Sequence, residues 1–124
     1  ANEGLTMGKL DRDTVQQLFI DAIQYGKQVV IQDKSTHSEI MGGAYIILEV
    51  DGRSKLGKLL ASFEGDADCG FSLSKSSYMG GFTLSGDGLR FMHVAPSLVA
   101  CKAALEYITE RLDISGWVND YESR

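Results

Sequence analysis

Three carboxylates stand on alternate residues of one short stretch, Glu64, Asp66 and Asp68, and Cys69 follows them directly. Hard cations such as Ca²⁺ collect several oxygen ligands, and alternate acidic residues resemble the first half of an EF-hand loop. The pattern then breaks. Cys69 stands where such a loop needs its glycine, and Lys75 occupies the place of the bidentate glutamate. A solvated acidic turn is the reading these residues support, and no metal site is expected.

Cys69 as a nucleophile would need a histidine base, and the chain holds only His37 and His93. The neighbouring Asp66 and Asp68 oppose a thiolate, and no spacing brings either histidine to the sulfur. Gly80-Gly81 and Gly86-Asp87-Gly88 lie between strand-like runs. Phosphate cradles lie between a strand and a helix N-terminus, so these glycines read as turns. With no complete catalytic set and no cofactor motif, the expected chemistry is binding.

Two groups of residues are candidates for it. Ile114, Trp117, Val118 and Tyr121 recur at helical spacing in an otherwise polar tail. Large aromatics on a terminal segment either cap the core or anchor a contact with another protein. His93, Tyr45 and Tyr78 are the second group, as the few polar groups of a small-molecule pocket between sheet and helix. His93 alternates with Phe91 and Leu89 and is expected on their face of a strand.

Composition narrows the partners. The net charge of −5 argues against nucleic acid, which is held through a basic face, and against anionic lipid. It leaves another protein, one with a basic surface, as the expected partner, and a homodimer joined through the sheet face or the tail is expected besides. No apolar run approaches the ~20 residues a spanning helix needs. Two cysteines are too few for a disulfide framework, which points to free thiols and a cytoplasmic setting.

The elements that must position these residues follow from periodicity. Residues 1–8 carry no pattern and are expected to be flexible. Asp11 is a helix cap, with Val15, Leu18, Phe19, Ala22 and Ile23 as one apolar stripe and Gly26 as its stop. Val29 and Val30 lie in a strand-like run at 28–32. Ala44 to Val50 is a short apolar run between glycines, a central strand, and Asp51-Gly52 is a hairpin turn into a partner strand at 54–63. Strands at 71–74, 82–84 and 89–94 complete the count. Pro96 opens a last helix whose stripe is Leu98, Cys101, Leu105, Ile108 and Leu112. The expectation is a single α+β domain over 1–124: N-terminal helix, six-stranded antiparallel meander, C-terminal helix, both helices on one sheet face, with 113–124 as a short tail. Terminal helices flanking a sheet resemble profilin-like and roadblock-like modules in layout, a likeness that no motif carries further.

Overall fold

The computed structural model describes residues 11–33, 40–76 and 80–123. It is an α+β fold of three helices and a four-stranded antiparallel sheet. In chain order the elements are α1 (Arg12–Gln32), β1 (Gly42–Glu49), α2 (Lys55–Ala61), β2 (Ser72–Lys75), β3 (Phe82–Ser85), a single 3₁₀ turn (Asp87–Leu89), α3 (Val94–Arg111) and β4 (Ser115–Glu122). The sheet order is β2-β3-β1-β4. β1 therefore pairs on both sides, with Ile46 opposite Leu84 of β3 and opposite Val118 of β4. Since β3 and β4 are both antiparallel to β1, they run parallel to each other, and α3 makes the crossover between them. The α2 connection from β1 to β2 does the same across β3, so the chain from β1 onward is a β-α-β-β-α-β pair of split units.

The six-strand meander is thereby corrected at four places, each for a local reason. Residues 28–32 are the last turns of α1. Gly26 does not stop that helix: its flat surface lets α3 approach, and a Cβ there would lie 2.3 Å from the carbonyl oxygen of Ala100. Val29 and Val30 continue the stripe, and packing overrides their strand preference. At 54–63, Ser54 caps a helix by accepting from the Gly57 amide at 2.9 Å, while the Asp51 carboxylate accepts from the Arg53 amide at 2.8 Å. Leu56, Leu60 and Phe63 are the buried positions. Their spacing is helical, and Asp51-Gly52 leads into α2 where a hairpin turn was expected.

The run 89–94 forms no strand. Leu89 closes the 3₁₀ turn, Met92 takes a left-handed φ of 59°, and only an isolated bridge joins His93 to Met41. A bulky residue at positive φ breaks the extended geometry that a ladder needs. Finally, the tail is strand β4, registered against β1 from Ser115–Glu49 to Glu122–Gly42. Its aromatics follow period two instead of helical spacing. The expected cap at Asp11 is present, its carboxylate accepting from the Thr14 amide at 2.8 Å.

All three helices lie on one face of the sheet. Phe19, Ile46, Leu48, Leu60, Leu84, Ala100, Cys101 and Ile108 belong to one continuous core beneath them. The small residues Ala100, Cys101 and Ala104 form the buried side of α3 and set its distance from α1. None of the described helices is long and apolar enough to cross a membrane.

The contact at Gly26 gives a direct test. Gly26→Ala should raise helix propensity yet lower stability by about 1–3 kcal/mol, the usual cost of overpacking a tight site. Urea unfolding should show a lower midpoint at unchanged slope; an equal or higher midpoint would contradict the close approach of α1 and α3.

Candidate functional site

Strand pairing assigns each β residue to a face, because directly opposed residues project to the same side. Ala44, Ile46 and Leu48 of β1 join Phe82, Leu84 and Val118 on the helix side. The opposite, open face receives Gly43, Tyr45, Ile47 and Glu49 from β1 and Ser115, Trp117, Asn119 and Tyr121 from β4. It receives Thr83 and Ser85 from β3 and Ser72 and Ser74 from β2.

The open face thus has two halves. On the β2–β3 half all four side chains are hydroxyls, and Ser72 and Ser74 are exposed to solvent. On the β1–β4 half an aromatic cluster forms around Ile47, which is 1% exposed although it lies outside the main core. Trp117 stands directly opposite Ile47 and is itself half-buried. Burying an Ile side chain is worth about 1.5–3 kcal/mol, so covering Ile47 is part of what the cluster does. Tyr121 lies across Gly43, where a Cβ would come within 2.7 Å of the tyrosine hydroxyl. Its ring sits 6.4 Å from that of Tyr45, at a tilt of 33°. Tyr121 remains 51% exposed.

An apolar rim continues the cluster at the Gly42 end of the sheet. Ile40, Met41 and Met92 are large apolar side chains left about half exposed or more. Their backbones are tied together: the Gly42 amide donates to the Met92 carbonyl at 2.9 Å, and the Val94 amide donates to that of Ile40 at 3.0 Å. The Ser123 amide donates to the Met41 carbonyl at 2.8 Å and extends the β4 ladder by one step. The sequence reading passed over Met41, beside the Gly42-Gly43 pair, and Met92, inside the expected strand at 89–94. An apolar residue beside glycines, with no periodic partner, was the available signal.

The four tail candidates are therefore divided. Trp117 and Tyr121 are on the open face, whereas Val118 and Ile114 pack toward the helix-side core. Of the pocket candidates, Tyr45 belongs to the aromatic cluster and Tyr78 lies outside the described residues. His93 is the N-cap residue of α3, without a side-chain capping bond, and its bridge partner Met41 stands roughly 13 Å along the strand from Tyr45 at 3.3 Å per residue. Among the described residues a groove lies elsewhere. It is open, encloses about 380 Å³, and runs between the outer flank of α3 (Lys102, Leu105, Glu106, Thr109) and the start of β4 (Ile114, Ser115, Gly116).

The acidic loop is spoken for. The Arg12 guanidinium donates to the Asp66 carboxylate at 2.7 Å and to the Ser62 hydroxyl at 3.1 Å, and it stacks 4.3 Å from the Phe63 ring centre. Asp66 also accepts from the Asp68 amide at 2.9 Å, and Glu64 accepts from the Lys75 amide at 3.0 Å. The Asp66 and Glu64 carboxylates are turned to different partners. Among the described residues no three His, Cys, Asp or Glu side chains converge in a way that would hold a metal. Cys69 is buried, with its thiol against the Phe71 carbonyl at 3.0 Å. Burial pushes the Cys101 thiol up to about 12, so it stays protonated. His37 lies outside the described residues.

The Arg12 hydrogen bond, reinforced by the Asp68 amide, holds the Asp66 carboxyl below its ordinary 3.8. A depressed native value stabilises the fold above the unfolded value, and the contribution is lost as pH falls through the native one. Asp66→Asn should therefore be less stable than the parent at neutral pH, with the gap closing as the medium is acidified below 3.8. Melting curves across that pH range would check it; a gap independent of pH would remove the ion pair as the cause. Compared with models of known families, with curated proteins and with solved structures, the chain has no significant match.

Proposed function

We propose that this chain is an interaction domain that works by docking the β1–β4 half of its open sheet face onto another protein. The observation that carries the reading is the placement of Tyr45, Trp117 and Tyr121 side by side on a sheet face that the described residues leave uncovered. Aromatic side chains supply large contact area at little cost in conformational freedom, and interface centres are enriched in them. The Ile40, Met41 and Met92 rim extends the strip with side chains that adapt to a partner's shape.

Charge selects the class of partner. Of the twelve open-face positions only Glu49 is ionised, in a chain of net charge −5. The face suits an uncharged apolar surface, and the acidic remainder favours one framed by basic residues. An aromatic sheet face also suits stacked bases, but the twelve paired positions of this one include no lysine or arginine to meet phosphates. Protein is the partner this chemistry recognises.

Tyr45 is the residue to test, since it is half-buried on an inner strand and takes no part in the helix-side core. Proteins retained from cell extract by the parent chain should be lost by at least tenfold with Tyr45→Ser. They should be kept by Lys58→Ser on the helix side, as read by quantitative mass spectrometry. Equal capture by the parent and Tyr45→Ser would remove the open face as the docking site.

A further inference from the structure

We infer that β4 is also a self-association edge: two copies of this chain join antiparallel along β4 into one continuous eight-stranded sheet. β4 is the last strand in the sheet order, and among the described residues no strand pairs with its outer side. It is eight residues long, against four for the opposite edge strand β2. A long unpaired edge presents a row of free amides and carbonyls, a template for another strand.

The sequence of β4 selects a second copy as the occupant, and a register. A two-fold axis through Asn119, normal to the sheet, keeps both helix layers on the same side. It sets Trp117 opposite the partner's Tyr121 and Tyr121 opposite the partner's Trp117. Both are open-face residues, so the axis creates two aromatic cross-strand pairs of the kind that stabilise antiparallel ladders. On the helix side it sets Asp120 opposite Val118 and Glu122 opposite Gly116. No carboxylate faces another directly, which matters for two chains of net charge −5. Shifting the axis to Val118 preserves the faces but sets Tyr121 against Ser115 and forfeits both aromatic pairs.

The groove beside β4 completes the fit. Gly116 projects no side chain toward α3, so Leu105 and Ile114 are left as an apolar wall at the mouth of the edge. The acidic helix-side row of an incoming β4 enters beneath the flank of α3, where Lys102 offers a cation and Glu106 the one opposing charge. Joined in this way, the two open faces form one surface with the aromatic clusters on either side of the axis. Self-association does not rest on the docking reading, because Tyr45 lies one strand away from the edge.

The register makes a sharp test. On the two-fold axis Asn119 faces its own copy, with Cα atoms about 4.5–5.5 Å apart in either kind of antiparallel pair, within disulfide reach. The native Cys69 and Cys101 are buried and do not compete. The purified parent chain should run as a dimer in light scattering over a wide concentration range. Asn119→Cys should form an intersubunit disulfide under mild oxidation and Val118→Cys should not. Tyr121→Lys, a change at a half-exposed position, should weaken the dimer at least tenfold with circular dichroism unchanged. Tyr45→Ser should remain dimeric, which separates a failure of docking from a failure of pairing. A monomeric parent chain would overturn the inference and give Asp120 and Glu122 the role of edge-blunting charges. A dimer in which Asn119→Cys stays reduced would overturn it as well.

Discussion

Strand β1 has to satisfy neighbours in four directions, and the rest of the molecule is arranged around that demand. Its backbone pairs with β3 on one side and β4 on the other. Ile46 and Leu48 must meet helices, while Ile47, between them, must be covered from the other side. A strand with apolar residues on both faces sits comfortably only where both faces are shielded. The helices shield one. On the other there is no second layer among the described residues, and Trp117 stands directly opposite Ile47 with Tyr45 two residues along β1.

This explains why the functional reading and the structural one meet on the same residues. The aromatics that hide Ile47 are themselves only partly hidden, so covering one apolar side chain leaves an apolar surface behind. β4 supplies Trp117 opposite Ile47 and Tyr121 opposite Gly43, and it also ends the sheet. Its two roles come from one geometric fact: a strand that completes a ladder on its inner side necessarily offers the same groups on its outer side. The helix layer has a comparable dependence on small residues. Gly26 against the Ala100 carbonyl lets α1 and α3 approach closely, and the stripe through Phe19 and Ile23 joins the core they share.

The acidic stretch shows how spacing can suggest chemistry that tertiary contacts then spend otherwise. Alternate carboxylates at 64, 66 and 68 are a ligand pattern on paper. Arg12, some fifty residues away in the chain, takes Asp66, and the amides of Asp68 and Lys75 take Asp66 and Glu64. No local pattern contains the information that Arg12 would arrive there.

Local signals determined a good deal by themselves. The Asp11 cap, the apolar stripes of the first and last helices, the central strand and the short strands at 72–75 and 82–85 all follow from spacing that neighbouring residues enforce. Even Leu56, Leu60 and Phe63 carried a helical period, obscured by an Asp-Gly turn that serves a helix cap equally well. Tertiary structure decided the rest. Whether 28–32 is strand or helix depends on Gly26 meeting α3, and whether 114–121 is helix or strand depends on β1 having an unpaired edge to offer. All four of 114, 117, 118 and 121 share one face only in a helix, while the pairs 114/118 and 117/121, four apart, fit a strand as well. Only the partner strand could choose, and with that choice it divided them, sending Trp117 and Tyr121 to the open face and Ile114 and Val118 to the core.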